Sequence, residues 1–518
     1  MGISKSVFKF QKHELIGTEG AEEDQDYLFD CFVDTGDLEV LRDTHHPARI
    51  VEGRTGSGKT ALLMTLKHQE ENVSFIDPED LSLQFLSNSN IINYLEKNGV
   101  DLDIFYRLLW RHILAVELIK MKYDIKNETD QKGFISRMYE KYIGDSQKKE
   151  AYEYLTEWGE KFWKNTEERI KEVTKKFEND ISAKITGSIP NFSSSLSGGK
   201  KFSDEEKVEI VSRAQDVVNT VQIQKLSKII KTLAEDEFIN KQQRYYIVID
   251  KLDEKWVDDS IRYKLIRALI EAIKDLKKIQ TSKIIIAIRK DLIDRVFMYT
   301  RDAGFQEEKY QPLFLRINWT EKNLLDVMEK RLNVLIKRQY TKGWIKWNEV
   351  IVNKIGKLDT EKYLISRTMY RPRDIISFIN NCISNSVGLA SISASKIRDA
   401  ETNYSDVRFK ALGDEWISDY PNLLLFLSIL KGRPISFKFS EITKTDIDNL
   451  AIEILSSDVK ESCYIEDLCH KYYEGYIKYL DLLSSMAQIF YKIGVIGIRL
   501  KNREISWSFK GENMVLPD

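Results

Sequence analysis

The sequence predicts an α/β protein built around a doubly wound parallel sheet of five strands. Three observations favour this class. Short apolar runs that suit buried strands occur five times, and segments with helical spacing of apolar residues separate them. A glycine-rich loop follows the first run, and acidic residues follow the third. In an open parallel sheet, such loops meet at the carboxyl edge, where ligands bind.

The apolar runs define the expected sheet. The predicted strands lie at residues 48–52, 73–77, 245–250, 283–289 and 312–319. Helical spacing follows the first strand at 58–68 and the second strand at 80–122. In the longer helical stretch, Trp110 is interpreted as a core residue. The chain therefore begins as strand, glycine loop, helix and strand, which is the order of an α/β unit.

Length and composition limit the possible classes of protein. With 518 residues, the chain should hold about two to four domains. Its residues are 42% hydrophobic and 31% charged, which is typical of a soluble, helix-rich protein. No run approaches the ~18 apolar residues of a membrane span, so we expect a cytoplasmic protein with no membrane partner. The formal net charge of −2 means that any contact with DNA must be local.

The cysteines do not form a metal or disulfide pattern. They are Cys31, Cys382, Cys463 and Cys469, and their spacing lacks the close pairs of a zinc site. We expect free thiols in a reducing compartment.

Composition shifts along the chain predict five segments. They are 1–122 with the first part of the sheet domain, 123–244 as a helical insertion, 245–319 with the second part of the sheet domain, 320–404 as a helical lid, and 405–518 as a winged-helix-like domain. Thr320 is the expected N-cap of the first lid helix.

The insertion combines helical and ambiguous patterns. Apolar residues recur at helical intervals over 148–178, which predicts an amphipathic helix. Residues 181–202 mix alternation with Gly and Ser, so they are predicted to form a β-hairpin or a mobile loop. Ser203 and Glu206 fit a capping box that opens another helix.

The glycine-rich loop has the full spacing of a P-loop, from Gly53 to Thr60. Glycines let backbone N–H groups approach a triphosphate, and the following helix adds its positive end. Lys59 is expected to reach the β- and γ-phosphates, and the Thr60 hydroxyl to bind Mg²⁺. The cofactors predicted are therefore ATP and Mg²⁺. The predicted nucleotide-binding residues are Gly53, Arg54, Thr55, Gly56, Ser57, Gly58, Lys59, Thr60 and Ala61.

The third strand ends in acids suited to Mg²⁺-dependent phosphoryl chemistry. Asp250 follows the strand directly and is predicted to hold the metal through water. Either Asp253 or Glu254 could orient or deprotonate the attacking water, and the sequence leaves this choice open. The position after Asp250 is occupied by Lys251, where many related ATPases carry the catalytic acid. Hydrolysis is therefore expected to be slow.

Two arginines are candidates for contact with the γ-phosphate. Arg289 ends the fourth strand, and Arg373 lies just after Pro372 at a predicted helix start. The alternative interpretation for both is an ordinary surface arginine.

The C-terminal segment is predicted to end in a β-ribbon after several helices. Arg499, Lys501, Arg503 and Lys510 could contact phosphates there, and Trp507 could stack on bases. The same residues equally suit a solvated or protein-contacting hairpin.

Together, these motifs resemble prokaryotic AAA+ and STAND-type P-loop ATPases, including KAP-like NTPases. The resemblance rests on Gly-Arg-Thr-Gly-Ser-Gly-Lys-Thr, Ile-Val-Ile-Asp-Lys-Leu-Asp-Glu, Ala-Ile-Arg-Lys-Asp-Leu, Arg-Pro-Arg-Asp-Ile-Ile and Gly-Val-Ile-Gly-Ile, in this order. It implies a Walker B motif of the form Asp-x-x-Asp at Asp250 and Asp253, a sensor at Arg289 and a lid arginine at Arg373.

The resemblance also implies nucleotide-dependent self-association, with an arginine supplied in trans. Arg295 and Arg301 are weak candidates for that role. Several relatives act in antiphage defence beside a separate, co-encoded effector, so both a second copy and an effector are expected partners.

Three functional hypotheses stay open at this level. The leading one is an ATP-driven oligomeric switch. The second is an ATP-dependent DNA-binding protein that resembles origin initiators and docks through its C-terminal wing. The third is a nucleotide-stabilised scaffold without meaningful turnover, which Lys251 makes reasonable.

Overall fold

The structure is a computed structural model with two compact units. The sheet unit comprises Asp34–Arg54 and Lys59–Ile317, and the helical unit comprises Met1–Val33, Thr55–Gly58 and Asn318–Asp518. The residues described are 8–79, 86, 88–142, 166–220, 230–232, 234–235, 238–254, 256–301, 306–339, 345–457, 464–499 and 504–510.

The sheet unit contains five strands and the helices that connect them, within the described ranges. Its helices are α2 (Asp37–Arg42), α3 (Lys59–Gln69), α4 (Asn90–Lys97), α5 (Asp103–Tyr123), α6 (Glu128–Tyr142), α7 (Thr166–Thr186), α8 (Phe192–Ser197), α9 (Asp204–Thr220), α10 (Asp259–Leu276) and α11 (Lys290–Tyr299). Its strands are β1 (Ile50–Gly53), β2 (Val73–Ile76), β3 (Tyr245–Ile249), β4 (Ser282–Arg289) and β5 (Phe314–Arg316). A short helix in the other unit, α1 (Gln25–Leu28), precedes them in the chain.

The five strands form one parallel sheet in the order β2-β3-β4-β1-β5. Gly53 lies opposite Arg289, and Ile249 lies opposite Ile286, so β4 is paired on both sides. The chain crosses from β1 to the far edge at β2, returns through β3 and β4, and then passes to β5. The connection that leaves β1 and the connection that leaves its neighbour β4 run towards opposite edges, so the switch point of this doubly wound sheet lies between β1 and β4. The predicted α/β class with five parallel strands is confirmed.

Both faces of the sheet are buried, and the side chains of each strand alternate between them. Ile247 and Ile249 join the core that contains α5, α10 and α11. On the opposite face, the Tyr246 hydroxyl donates a hydrogen bond to the carbonyl of Arg42, at the end of α2. Helix α3 packs beside α2. The connection from β1 to β2 and the connection from β3 to β4 run in opposite directions across the sheet. Because both crossovers are right-handed, their helices lie on opposite faces.

The insertion between β2 and β3 is helical and shares the core of the sheet. Phe177 of α7 stacks on Phe105 of α5 with ring centroids 4.0 Å apart. Trp110 is fully buried and donates its indole N–H to the carbonyl of Leu265 at 2.8 Å, so its predicted core role is confirmed. The predicted capping box is also confirmed, since Ser203 and Glu206 exchange hydrogen bonds.

Two predictions about this region need correction. Residues 181–202, expected to be a hairpin or loop, are mostly helical, in α7 and α8. The physical reason is the i, i+4 burial of Ile181, Ile185 and Ile189, which the Gly and Ser residues obscured. The helix predicted over 80–122 is interrupted at Gly99, whose φ of 78° ends α4. Trp158 and Phe162 of the predicted amphipathic helix lie outside the described residues.

The helical unit holds the remaining described elements. They are α12 (Glu321–Gln339), α13 (Trp347–Val350), the paired strands β6 (Lys354–Ile355) and β7 (Leu358–Asp359), α14 (Thr360–Arg367), α15 (Pro372–Ser384), α16 (Ala394–Glu415), α17 (Leu423–Phe426), α18 (Lys444–Leu455), α19 (Tyr464–Tyr473) and α20 (Tyr479–Lys492). The predicted N-cap Thr320 accepts from the Asn323 amide at 3.2 Å, and α15 begins at Pro372 as expected.

This unit has two hydrophobic cores. The first buries parts of α12 to α16, and Phe10 and Ile16 from the N-terminal segment join it. A buried ion pair between Arg331 and Asp24 also fastens the N-terminal segment to α12. The second core buries α17 to α20. After α20, an antiparallel bridge joins Ile498 to Ser506, so the expected β-ribbon is reduced to one bridge in the described part of the chain.

The remaining general predictions concern membranes and thiols. Among the described helices, none combines the length and apolar character needed to cross a bilayer. Cys31, Cys382 and Cys469 are buried thiols outside any disulfide, as predicted, and Cys463 lies outside the described residues.

We expect Phe177→Ala to destabilise the protein by about 3–5 kcal/mol, because it removes a ring buried between α7 and α5. Urea unfolding followed by circular dichroism measures the loss. Val208→Ala on α9 is the control, since Val208 is 71% exposed and its truncation should change stability by less than about 0.5 kcal/mol. Equal effects of the two substitutions would show that the insertion is not part of the core.

Candidate functional site

The glycine-rich loop leads directly from β1 into the first turn of α3. Gly56 and Gly58 have φ angles of 74° and 91°, which side-chain-bearing residues rarely adopt. Helix α3 begins at Lys59, so the N–H groups of its first turn have no partner within the helix. Free N–H groups at a helix start form an anion-binding position.

Lys59 is held inside the loop by backbone carbonyls. Its ammonium donates hydrogen bonds to the carbonyls of Gly53 at 3.1 Å and Arg54 at 3.2 Å. Burial lowers the pKa of Lys59, while the nearby carboxylates of Asp253 and Asp250 oppose that shift. The lysine therefore sits at the sheet edge with its charge incompletely compensated, a state that an anionic ligand would relieve.

Thr60 and Asp250 meet at the carboxyl ends of β1 and β3. The Thr60 hydroxyl donates to Asp250 Oδ2 at 2.8 Å, and the Lys251 amide donates to Asp250 Oδ1 at 2.9 Å. Burial raises the pKa of Asp250, although both hydrogen bonds and Lys59 act in the other direction. The two side-chain oxygens are hard ligands that suit Mg²⁺.

This oxygen pair fits a metal that is completed by other ligands. No described group of three or more His, Cys, Asp or Glu side chains could hold an ion by itself. Mg²⁺ usually takes one or two protein oxygens and fills its octahedron with water and substrate phosphates. The residues present therefore fit a Mg²⁺–phosphate ligand better than a metal ion alone.

Arg289 lies at the end of β4, next to Asp253. One guanidinium nitrogen is 3.8 Å from Asp253 Oδ2. Two others donate to the Asp291 carboxylate at 3.0 and 2.9 Å. Arg295 also pairs with Asp291 at 3.1 Å, so this candidate for a trans arginine is already engaged within its own chain. The sequence analysis missed Asp291, although its place two residues after Arg289 was the available signal.

The structure distinguishes the two candidate bases. Asp253 is the carboxylate that interacts with Lys59 and Arg289. Glu254 instead has Lys251, Glu79 and Asp77 as its charged neighbours, and partial burial chiefly raises its pKa. The geometry therefore favours Asp253 as the residue nearer to the predicted phosphate position.

Lys251 occupies a strained position after the strand. Its φ is 60°, a left-handed conformation that is uncommon for lysine. Its ammonium lies 3.5 Å from the carboxylate of Asp77, which follows β2. A catalytic acid was expected at this position. It holds instead a lysine that pairs with Asp77 at the end of the neighbouring strand. Asp77 was also missed, although it directly follows a predicted strand.

The helical unit has its own contacts with loop residues 55–58. The Trp319 indole donates to the carbonyl of Ser57 at 2.8 Å. The Arg373 amide approaches the carbonyl of Gly56 at 3.4 Å, and a Cβ on Gly56 would lie 3.0 Å from Arg373 Cβ. Trp319 was assigned only to a strand end from the sequence. Its contact with the loop depends on the fold and has no local signal.

Two hydroxyl groups in the same loop segment support a ligand there. Thr55 Oγ1 and Ser57 Oγ are inaccessible to solvent and have no hydrogen-bond partner among the described residues. Buried hydroxyls normally find partners, because leaving one unsatisfied costs about 1–3 kcal/mol. Phosphate oxygens would supply acceptors for them.

Arg373 is positioned by a strained turn. Met369 and Tyr370 both have left-handed backbone conformations, with φ angles of 49° and 55°. Arg371 follows and binds the Glu415 carboxylate through two nitrogens at 3.0 and 3.1 Å. The guanidinium Nε of Arg373 donates to the carbonyl of Glu19 at 3.3 Å. The side chain thus packs along the loop and ends on a backbone acceptor.

The predicted residues divide between the units as follows. The sheet unit brings together Lys59, Thr60, Asp250, Asp253 and Arg289. Ala61 lies in the first turn of α3, and Arg301 is exposed beyond α11. Lys501 and Arg503 of the expected wing lie outside the described residues.

Comparison with known proteins gives two similarities. Residues 322–413 match a family described as the FunZ-associated C-terminal helical domain. Over 509 residues, the chain is 23% identical to a protein of Escherichia coli (strain K12) named "Putative transposon gamma-delta 80.3 kDa protein". This similarity covers 96% of the chain but 63% of that protein, so the chain spans less than two thirds of the relative's length.

We expect Asp250→Asn to make the metal-free protein as stable as the wild type, or more stable, at neutral pH. Burial raises the folded-state pKa of Asp250, so the folded protein binds this proton more tightly than the unfolded chain does. Stability contributed by such an acid is present at low pH and is lost as the pH rises through the folded pKa. Thermal melting from about pH 5 to about pH 8 should show the two proteins converging towards the acidic end.

Added Mg²⁺ supplies the control for this prediction. With ATP already present, it should raise the melting temperature of the wild type and of Thr60→Ser, which keeps the hydroxyl, but not that of Asp250→Asn. A destabilised Asp250→Asn protein that still responds to Mg²⁺ would contradict the assignment.

Proposed function

We propose that the protein is a Mg²⁺-dependent ATP-binding and ATP-hydrolysing P-loop protein that acts as a nucleotide-driven oligomeric switch. The main support is the 2.8 Å hydrogen bond between Thr60 and Asp250, which lies beside a glycine loop that leads into the first turn of α3. A hydroxyl and a carboxylate at the carboxyl edge, next to a helix start, match what a Mg²⁺-bound phosphate chain needs. The resemblance to AAA+ and STAND-type ATPases adds to this support.

Each residue of the site has a distinct task in this proposal. The N–H groups at the start of α3 and the Lys59 ammonium bind the phosphate oxygens. Thr60 and Asp250 would hold Mg²⁺, which neutralises charge on the β- and γ-phosphates. Asp253 orients the attacking water and accepts its proton, while Arg289 stabilises the developing charge.

The surroundings of Arg289 determine how it can act. Asp291 binds two guanidinium nitrogens in a fixed fork, so the arginine is oriented but partly neutralised. A third nitrogen faces Asp253 at 3.8 Å. The pair therefore couples the proposed base to the proposed sensor. Release of Asp253 from Arg289 would leave that nitrogen free for a phosphate oxygen.

Lys251 supports slow turnover. A cation in the position after Asp250 cannot act as a base, and the Lys251 ammonium lies 3.5 Å from the Asp77 carboxylate. This feature suits a switch that remains in its ATP state for long periods. It also supports the alternative of a scaffold that binds nucleotide without meaningful turnover.

The switch is proposed to operate through the helical unit. Arg373 contacts Gly56 of the glycine loop, so nucleotide bound in the loop would shift the start of α15. The resemblance implies two partners. One is other copies of the chain, which would assemble when nucleotide is bound, and the other is a co-encoded effector in prokaryotic defence or signalling. Arg301, which is exposed, is the better of the two candidates for an arginine supplied in trans.

DNA binding through the C-terminal wing is the second candidate function. The observation that favours it is the name of the E. coli relative, which associates that protein with a transposon. Arg499 and Lys510 lie on either side of the Ile498–Ser506 bridge and are the described cations available for such a contact.

The first test is phosphate release from Mg·ATP as the protein concentration rises, with Lys59→Ala measured alongside. A composite oligomeric ATPase predicts a rate per molecule that increases with concentration and vanishes in Lys59→Ala. A constant rate would remove the oligomeric part of the proposal. If neither phosphate release nor ATP binding were detectable, the ATPase proposal would be wrong.

Under the same conditions, Asp253→Asn should lower the rate about 10²-fold or more, because it removes a general base. Glu254→Gln should have a much smaller effect, since the charged neighbours of Glu254 are Lys251, Glu79 and Asp77, whereas Asp253 interacts with Lys59 and Arg289. Both substitutions keep the side-chain volume, which makes them a matched pair. Turnover unaffected by either change would favour the scaffold alternative.

A further inference from the structure

The sheet unit has a large groove at the amino ends of its strands. Thr44 and His45 precede β1, Arg244 precedes β3, and Thr281 precedes β4. The candidate nucleotide residues lie at the carboxyl ends of the same strands. The groove, with a volume of about 1040 Å³, is therefore at the opposite edge of the sheet.

The lining of this groove is strongly basic. It contains Lys231, Lys241, Arg244 and Lys278, against a single acid, Glu235. All four cations are exposed. Lys231 lies 3.9 Å from Glu235, and no described carboxylate lies within ion-pair distance of Lys241 or Lys278. In a chain with a formal net charge of −2, this is a concentrated positive site.

Two buried cations lie directly behind the groove wall. Arg49 donates to the carbonyl of Thr44 at 3.1 Å, and Lys283 donates to the carbonyls of Val40 and Asp43 at 2.6 and 2.8 Å. Neither side chain has a salt-bridge partner among the described residues. A protonated side chain that is compensated only by carbonyl dipoles in a low-dielectric interior adds to the positive potential at the nearby surface. Of the two, Arg49 stays protonated at neutral pH, since burial lowers its pKa only to about 10.

The other lining groups identify the kind of anion. Gln280 contributes an exposed amide, and Ile239 contributes an apolar side chain that is 64% exposed. The Thr44 and Thr281 side chains are buried, and the Thr281 hydroxyl donates to the carbonyl of Phe238 at 2.9 Å. Lys, Arg and Gln are among the residues that bind the phosphates and sugars of nucleic acids. A nucleic acid presents sugars and bases beside its phosphates, so it can contact the amide and apolar groups as well as the cations.

We propose that this groove binds the sugar–phosphate backbone of a nucleic acid, without base specificity and independently of the nucleotide site. Lys241, Arg244 and Lys278 make the phosphate contacts, and Ile239 contacts an exposed base or sugar. Because the groove and the nucleotide residues lie at opposite edges of the sheet, both can be occupied at once.

The test is fluorescence anisotropy of the full chain with a labelled oligonucleotide, single-stranded or duplex. Lys241→Glu combined with Lys278→Glu should weaken binding about tenfold or more at low salt. The slope of log affinity against log salt should fall by about one for each phosphate that the variant no longer neutralises. Lys354→Glu combined with Lys357→Glu is the matched control, since both lysines are exposed and belong to the helical unit. It should leave binding nearly unchanged.

Further arms separate this proposal from the others. Lys59→Ala should bind the oligonucleotide like the wild type, so failure of the ATPase proposal and failure of the groove proposal are distinguishable. Loss of binding in Arg499→Ala combined with Lys510→Ala, with the groove variants unaffected, would assign binding to the wing and overturn the proposal. Binding undetectable at low salt, or displacement by polyglutamate at the same charge concentration, would also overturn it.

Discussion

The pairing of β4 with both β1 and β3 is the constraint on which the candidate site depends. Because all three strands are parallel and in register, Gly53 lies opposite Arg289, and Asp250 follows one residue after Ile249, which is paired with Ile286. The loop, the carboxylate and the arginine are far apart in the chain but emerge at one edge. A slip of a single residue in β4 would turn its alternate side chains to the wrong face. The unbroken burial of β4, from Ser282 to Ile288, makes such a slip costly.

Incomplete charge compensation is the common property of the two sheet edges. At the carboxyl edge, burial shifts the pKa values of Lys59 and Asp250 in opposite directions, each towards its neutral form. At the amino edge, burial lowers the pKa of Lys283 to about 7 and that of Arg49 to about 10. Folding supplies carbonyls but few opposite charges to these groups. Such arrangements are characteristic of binding sites, since a stability-optimised interior would pair or replace these charges.

The sequence predicted those parts of the fold and site that local patterns determine. The five strands, the glycine loop, the caps at Ser203 and Thr320 and the start of α15 at Pro372 all follow from short-range rules. The partners of the site residues did not, because they depend on which strand ends become neighbours. Asp291, Asp77 and Trp319 gained their contacts only through the sheet order and the fold of the helical unit. Helix α7 was misjudged between 181 and 186 because its apolar spacing was hidden among polar and small residues.

Inside the helical unit, packing connects the C-terminal segment to the glycine loop. Phe509 stacks on Tyr370 at 5.8 Å between ring centroids, and the Lys510 ammonium lies 4.8 Å from the same ring. Tyr370 is one of two adjacent left-handed residues, and such a conformation costs about 1–3 kcal/mol for each residue. Neighbouring residues hold Tyr370 in this conformation. The turn fixes the direction of α15 and the position of Arg373 beside Gly56. A partner that drew residues 504–510 away from Tyr370 would remove part of this support. By linkage, the same turn would respond to occupancy of the loop, which gives the proposed switch a defined place to act.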